Sequence, residues 1–457
     1  MDIDQSRTRS GDQERLSRIL TELGELMKLA GPVVAARLGV MTMGLTDAIV
    51  VGRHAAVQLG YHAMAWAPTS VVVTMAIGLL SGIQVMTARA LGEGRSSAAG
   101  AVLRRGLVYS VWVGLAAAGL LLAVGPALLH LLGLEKSLAD GASAPLRVFA
   151  LSLPAMTVGV AAAGWLEGLS KPGPAAWAMW AANLVNLGLV ILLVPGTFGL
   201  PAMGAVGAGW ATTGARTFLA VATLIYIVRM PEARALGVFD KPPRDRAASA
   251  EQHRIGLGAG AANFFEVAAF ASLNIFAGWI GAIAVAVWAI VLNVAAIIFM
   301  VPLGMGVAAA VRIGGAYGAG EPAEMRLRAQ VAFGVTAAFG LGISLLVWPS
   351  ADLIVSAYTR DPAALAIAGP ALVLSCFFFT PDAMQVVVAQ SLRARSDIWI
   401  PTLIQLASYI AVMTPLAWWL AIPGGMGVPG IVCAVIAASF LSAGLQLARF
   451  WVMARRG

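Results

Sequence analysis

The sequence predicts an all-α membrane protein with 12 transmembrane helices, arranged as two pseudo-symmetric six-helix bundles around a central cavity. The first observation is composition: 60% of the 457 residues are hydrophobic and 11% are charged, whereas soluble domains carry about 25% charged residues. The second is a series of long apolar runs, and the third is an internal repeat of the first half in the second. Together these observations exclude an ordinary soluble domain.

Twelve apolar runs follow one another, and each is long enough to cross a hydrocarbon core of about 30 Å. They span residues 27–52, 58–88, 103–130, 144–168, 174–195, 203–229, 256–280, 284–314, 328–349, 364–392, 399–421 and 427–452. The longest stretch without such a run lies between the sixth and the seventh. We therefore expect an N-terminal tail (1–25), an N-lobe (26–229), a linker (230–254), a C-lobe (255–452) and a short tail (453–457).

The repeat appears when the sequence is shifted by 226 residues, which places Gly52 on Gly278 and Ser170 on Ser396. Because each half holds six runs, an even number, both halves have the same orientation in the membrane. They are then related by an axis along the membrane normal, as in transporters built from parallel repeats. Two such bundles predict a central cavity and a rocking motion.

Basic residues predict the orientation, because loops on the cytoplasmic side of a membrane are enriched in lysine and arginine. If the N-terminus is cytoplasmic, the residues that fall outside are few among the 30 lysines and arginines: Arg53, Lys136, Arg147 and Arg360. Arg37 and Arg216 lie within runs and are interpreted as snorkelling or structural. We expect both termini in the cytoplasm at a bacterial inner membrane. Because the charge is spread along one membrane face, the net charge of +8 does not indicate a nucleic-acid partner.

The buried polar set expected in the first half consists of Asp47, Asn183 and Asn186. A carboxylate in an apolar run is costly to bury against lipid, by about 2.5 kcal/mol or more at a helix centre. Asp47 is therefore expected to face a cavity or a partner, although hydration at a helix end is the alternative. The two asparagines are three positions apart and share a helix face. They line the cavity or serve as hydrogen-bonding contacts between helices.

In the second half the expected buried polar set is Glu266 with Asn263, and Asp382 with Gln385. Pro381 removes a backbone donor and is expected to make a broken-helix element of the kind that coordinates ions. Carboxylate and amide oxygens suit Na⁺ or a proton, so Glu266 and Asp382 are candidate Na⁺ ligands. Soft-metal chemistry lacks its thiolates and imidazoles, and Cys376 and Cys433 predict neither a disulfide nor a metal site. No cofactor is expected.

Aromatic side chains adjoin one of these carboxylates, since Phe264 and Phe265 precede Glu266 directly. Apolar faces beside a carboxylate suit organic cations through burial and cation–π contact. The chain also has 18 methionines, and flexible methionine surfaces favour promiscuous binding. Packing against lipid and neighbouring helices is the alternative for most of these residues.

Four sequence stretches resemble the multidrug and toxic compound extrusion (MATE) transporters, and the last of them is similar to the NorM-like branch. They are the first-helix signature from Gly44 to Arg53, Leu166 to Pro172, Leu184 to Asn186 followed by Pro195 and Gly196, and Pro381 to Val387 leading to Ser391, Leu392 and Arg393. The resemblance implies a two-lobed exporter of cationic, often aromatic compounds, exchanged for Na⁺ or H⁺. We expect the protein to work as a monomer.

By this resemblance Glu266 and Asp382 are the C-lobe cation site, and Asp47 with Asn186 is the N-lobe site. Asn183, Gln385, Asn263, Phe265 and Phe264 are then expected to line the substrate cavity. Many relatives have a further polar residue one turn after Asn186, where this chain has Val190. The resemblance therefore implies a less complete N-lobe site.

Three other functions are compatible with the residues taken alone. A flippase for lipid-linked sugars would share the architecture but needs many basic groups in its cavity. An intramembrane enzyme could use Glu266 and Asp382 as an acid–base pair, although no HExxH or GxGD motif supports it. A receptor or scaffold is the third alternative.

Overall fold

The part of the chain that the structure describes consists mostly of helices, joined by turns and short loops. The structure, a computed structural model, describes residues 2–131, 136–241 and 245–456, apart from the side chains of residues 2–12, 15 and 456. Three residues of the predicted linker, Pro242, Pro243 and Arg244, lie outside the described residues. The helices are α1 (Asp2–His54), α2 (Ala56–Gly92), α3 (Ala98–Leu131), α4 (Lys136–Leu151), α5 (Leu153–Gly168), α6 (Gly173–Leu193), α7 (Gly204–Arg229), α8 (Arg246–Ile280), α9 (Ala282–Gly318), α10 (Pro322–Tyr358), α11 (Pro362–Ala394), α12 (Trp399–Gln405), a π-helix (Leu406–Met413), α13 (Thr414–Ala421) and α14 (Val428–Arg456).

The described residues contain 11 helical stretches that are long and apolar enough to cross a membrane, or 12 if the bent pair α4 and α5 is one span. This agrees with the predicted fold class. The bend of 40° lies at Ser152. Pro154, near the start of α5, lacks the N–H that would continue the hydrogen bonds of α4. Ser152 completes the bend by donating its hydroxyl to the carbonyl of Phe149 at 2.6 Å.

The predicted eleventh run is one continuous stretch with a π-helix in its middle. The carbonyl of Tyr409 accepts the backbone N–H of Thr414, five residues on, and also the Thr414 hydroxyl at 3.1 Å. Pro415 follows directly and has no N–H to offer the α-helical ladder. The wider π turn accommodates this loss, and π-helical turns are frequent at functional sites.

The chain forms two compact units. The N-unit is Ala35–Ala268, and the C-unit combines Met1–Val34 with Ala269–Gly457. Both boundaries fall inside a helix, one in α1 and one in α8. The first residues of α1, predicted as a tail, are helical and continuous with the first span.

Charged side chains explain why the start of α1 belongs to the C-unit. Glu22 accepts a hydrogen bond from Arg312 of α9 at 2.5 Å and lies 3.4 Å from the Nε atom of Arg328 of α10. Arg18 pairs with Glu324 of α10. These ion pairs hold the first part of α1 against α9 and α10.

The internal repeat is visible in the backbone at Ser170 and Ser396, the two residues that the shift of 226 aligns. Both adopt left-handed conformations, with φ of 60° and 64°, which few residues other than glycine adopt. The Ser170 N–H donates to Glu167 and that of Lys171 to Leu166. Ser396 donates to Arg393 and Asp397 to Leu392 in the same pattern. The two halves therefore end equivalent helices in the same way.

Helices α2 and α8 cross closely at two GxxxG sequences within the N-unit, one of them ending at Gly82 and the other beginning at Gly256. A Cβ atom at Gly256 would lie 1.9 Å from the Leu79 carbonyl oxygen, and one at Gly82 would lie 2.1 Å from that of Gln252. Small residues permit this backbone approach in membrane helices. No larger side chain fits without separating the helices.

We expect Gly256→Ala to destabilise the protein by about 1–3 kcal/mol, because the new methyl group overlaps a backbone atom that cannot rotate away. The control is Gly119→Ala in α3, where no atom lies within 4 Å of the new Cβ and where alanine is favoured over glycine by about 1 kcal/mol. Thermal unfolding of the purified variants in detergent gives the comparison. An unchanged unfolding temperature for Gly256→Ala would contradict the close crossing.

Candidate cation sites

Asp47 of α1 is buried, with 2% of its surface exposed. Thr212 of α7 donates its hydroxyl to the Oδ2 atom of Asp47 at 2.6 Å. The Oδ1 atom is also buried and has no hydrogen-bond partner among the described residues. Asp47 therefore faces the interior of the N-unit, as predicted, and keeps one oxygen for a further ligand.

The two asparagines of α6 differ in their contacts. Asn186 is fully buried and lies close enough to interact with the Asp47 carboxylate, yet neither of its amide atoms makes a hydrogen bond of normal geometry within the described residues. Asn183 donates to the carbonyl oxygens of Gly39 and Met179, both at 3.0 Å. Asn183 thus connects α6 to α1, and its part in a substrate cavity stays a prediction.

Arg216 lies one turn after Thr212 on the same face of α7. Its Nη1 atom donates to the Ser152 hydroxyl at 2.6 Å, its guanidinium carbon is 5.6 Å from the centre of the Trp66 ring, and it interacts electrostatically with Asp47. Only 9% of the residue is exposed. Of the two interpretations offered for Arg216, snorkelling or structural, the contacts therefore favour the structural one, because a hydroxyl and an aromatic face hold the guanidinium inside the N-unit.

Sequence reasoning missed a second buried carboxylate, Glu167 of α5. It is 5% exposed, and its Oε1 atom lies 3.7 Å from a terminal nitrogen of Arg37 in α1. Arg37 was available as a signal, since a cation inside an apolar run needs a partner. Glu167 lies in the stretch from Leu166 to Pro172 that resembles the MATE transporters. Nothing in the sequence indicates that it contacts Arg37.

In the C-unit, Asp382 of α11 is half-buried and accepts a hydrogen bond at Oδ1 from the hydroxyl of Tyr409, at 3.2 Å. Tyr409 is fully buried within the π-helix. The predicted broken helix at Pro381 is wrong, because α11 continues through this proline. The helical irregularity instead lies in the facing span, where it places the tyrosine that contacts the carboxylate.

Buried amide side chains continue from Asp382. Gln385, three residues on and fully buried, accepts a hydrogen bond from Gln405 at 3.1 Å. Gln405 in turn accepts one from Arg393 at 2.8 Å. The Nε2 atom of Gln385 has no partner among the described residues. A polar network thus lies beside the Asp382 carboxylate in an otherwise apolar core.

The predicted residues of α8 belong to the N-unit. Asn263 donates to the carbonyl of Thr74 in α2 at 3.1 Å, the rings of Phe264 and Phe265 contact each other edge to face, and Glu266 is half-buried. Asp382 lies in the C-unit. The shared site predicted for Glu266 and Asp382 therefore stays a prediction.

Each candidate site offers one carboxylate with hydroxyl and amide groups, and the N-unit site also has the Arg216 guanidinium nearby. In the described part of the chain, no group of three or more histidine, cysteine, aspartate or glutamate side chains is placed to hold a metal ion. A single carboxylate with hard oxygen neighbours can hold a proton, a monovalent ion or an organic cation. Cys376 and Cys433 are free.

Repeated halves of apolar helices, with carboxylates buried among them, are typical of a multi-pass membrane transporter. The profile of the family MatE matches residues 32–192 and 259–419, which is more than half of the chain. The chain therefore belongs to the MatE family, which confirms the resemblance to the MATE transporters. The profile matches twice, once in each half of the sequence, in agreement with the internal repeat.

Curated relatives cover most of the chain. The "Probable multidrug resistance protein NorM" of Caulobacter vibrioides is 60% identical over 432 residues, which is 94% of this chain and 92% of that protein. The "Multidrug resistance protein PmpM" of Pseudomonas aeruginosa is 29% identical over 411 residues, 89% of this chain and 85% of that one. The similarity thus extends over both halves.

Solved structures share the fold. The crystal structure of the eukaryotic MATE transporter AtDTX14 matches with a TM-score of 0.87 at 18% sequence identity. The match covers 96% of this chain and 98% of the AtDTX14 chain. A MOP superfamily transporter from Pyrococcus furiosus, described as having a binding pocket of reverse polarity that suggests a different function, has a TM-score of 0.84 at 17% identity over 95% and 96% of the two chains. These similarities show the fold alone.

Proposed function

We propose that this protein is a secondary antiporter that exports organic cations in exchange for Na⁺ or H⁺. The observation that carries the proposal is a carboxylate inside each compact unit, Asp47 and Asp382, each held by one hydroxyl donor. Such a carboxylate can bind a small cation or an organic cation, but not both at full strength. The names of the relatives support drug export.

The mechanism follows from this competition. A proton or Na⁺ that neutralises a carboxylate removes its attraction for a cationic drug, so the two ligands occupy the protein alternately. Phe264 and Phe265 beside Glu266 would supply apolar and cation–π contact to the drug. The two lobes would then carry the cavity across the bacterial inner membrane, with both termini in the cytoplasm and the monomer as the working unit.

A lipid-linked sugar flippase is the alternative within the same architecture. Its pyrophosphate-bearing substrate would require exposed basic groups in the cavity. Arg37 is engaged by Glu167, and Arg216 is engaged by Ser152 and Trp66. Neither arginine offers a free cation to such a substrate, which favours the cation exporter.

Reconstituted protein tests the proposal. A fluorescent organic cation is supplied to proteoliposomes, first under an imposed Na⁺ gradient at equal pH and then under a pH gradient without Na⁺. We expect uptake driven by at least one gradient and no accumulation when both gradients are absent. Failure of both gradients to drive uptake, with translocation of a lipid-linked saccharide instead, would replace the exporter by the flippase.

A further inference from the structure

Arg216 gives the N-unit site a cation of its own. The guanidinium belongs to a buried residue one helical turn after Thr212, which donates to the Asp47 carboxylate. It is fixed by two contacts, the Ser152 hydroxyl at 2.6 Å and the Trp66 ring at 5.6 Å, and interacts electrostatically with Asp47 from this position. Arginine stays protonated even when it is buried. The charges of Asp47 and Arg216 therefore already balance before any coupling ion arrives.

The remaining groups around Asp47 would otherwise suit Na⁺. The buried Oδ1 atoms of Asp47 and Asn186 have no hydrogen-bond partner among the described residues, and the Thr212 oxygen lies 2.6 Å from the carboxylate. These are hard oxygen ligands of the type that such cations prefer. What argues against Na⁺ is charge, because a second buried cation next to Arg216 meets repulsion that the low-dielectric interior does not screen.

We propose that Arg216 is a built-in counter-ion that excludes Na⁺ from the N-unit site and thereby determines ion specificity. The fixed guanidinium supplies the charge that a coupling Na⁺ would bring, so Asp47 does not bind this ion. Any Na⁺ that the protein binds is then held without Asp47. The inference rests on the proposed cation-coupled function, but concerns ion binding rather than transport.

Ion binding to purified protein in detergent tests the inference without any drug or gradient. Na⁺ replaces choline at constant ionic strength, and binding is followed by titration calorimetry and by the rise in unfolding temperature. In the wild-type background we expect Asp47→Asn to leave the Na⁺ affinity unchanged within about twofold. A tenfold loss of Na⁺ affinity in Asp47→Asn would overturn the inference.

The second experiment removes the positive charge of Arg216. We expect Arg216→Gln to bind Na⁺ at least tenfold more tightly than the wild type and in preference to K⁺, because the oxygen ligands are then left without their counter-ion. The gain must disappear in the double variant Asp47→Asn/Arg216→Gln and be absent in Arg216→Lys, which keeps the charge. A folded Arg216→Gln protein with no gain would overturn the inference.

The control is Arg104→Gln in α3. Arg104 donates to the Val238 carbonyl at 2.7 Å and 3.0 Å, so this change removes a half-buried guanidinium of the same unit that is bonded to a backbone oxygen. It must not create Na⁺ binding. If Arg216→Gln does not fold, Arg216→Met is used in its place. The Na⁺ affinity of Asp47→Asn tests the inference without either variant. Loss of drug transport with this binding pattern intact would refute the proposed function and leave the inference standing.

Discussion

Asp382→Asn is expected to lower organic-cation export at least about tenfold. The substitution keeps the shape of the side chain and an oxygen that can accept the Tyr409 hydroxyl, which now donates to Oδ1 at 3.2 Å. It removes the negative charge for which, in the proposed mechanism, coupling ion and drug compete. A hydrogen bond to a charged group contributes about 1.5–3 kcal/mol, and about 1.4 kcal/mol corresponds to tenfold in an equilibrium constant. Export is measured as efflux of a fluorescent cation from loaded cells, normalised to the amount of folded protein.

The matched control is Asp361→Asn, the same chemical change at the start of α11. Asp361 is exposed and accepts the Ala363 N–H at 3.0 Å, and asparagine caps a helix equally well. This variant should export at the wild-type rate. If folded Asp382→Asn also matched the wild type, Asp382 would have no role in coupling.

Hydropathy and length were sufficient for the twelve spans, because an apolar run of membrane-crossing length has few alternatives to a helix. The bend at Ser152 was not predicted, although Pro154 offered a signal. The π-helix around Tyr409 was not predicted either, since its only local signals are Thr414 and Pro415. Irregular helical turns depend on bonds that tertiary neighbours replace, so apolar periodicity does not reveal them.

The carboxylates of the candidate sites were predictable because a charge within an apolar run is conspicuous. Their partners were not. Thr212 lies 165 positions from Asp47, and Tyr409 lies 27 positions from Asp382. A threonine or tyrosine in a transmembrane helix is common, and nothing local marks the one that contacts a carboxylate.

The boundaries of the two compact units could not be predicted from the sequence either. Runs of apolar residues mark where helices begin and end, and so the predicted lobes were bounded by loops. The contacts that assign a segment to a unit are made by particular side chains, such as Glu22 with Arg312. These contacts place the boundary within α1, at a position without any compositional change.

Trp165→Ala is expected to destabilise the N-unit by about 3–5 kcal/mol, the range for a buried tryptophan truncated to alanine. Trp165 of α5 is fully buried in a cluster with side chains that include Leu80, Ile83 and Leu103. Its indole N–H donates to the Ala99 carbonyl at 2.8 Å, which ties α5 to the start of α3. Truncation leaves a cavity and removes this bond. Reversible unfolding of the purified protein in mixed micelles measures the change.

Two further variants separate the contributions of packing and hydrogen bonding at this position. Trp165→Phe keeps an aromatic ring but loses the N–H. We expect it to lower the stability by about 1–2 kcal/mol, the cost of one hydrogen bond and a small cavity. Trp177→Ala, at a residue with 80% of its surface exposed, should change stability by less than about 0.5 kcal/mol. Equal effects of Trp165→Ala and Trp177→Ala would mean that α5 is not held to α3 through this side chain. The loss of stability should decrease in the order Trp165→Ala, Trp165→Phe, Trp177→Ala. This order is expected only if the indole of Trp165 fills the interior between α3 and α5.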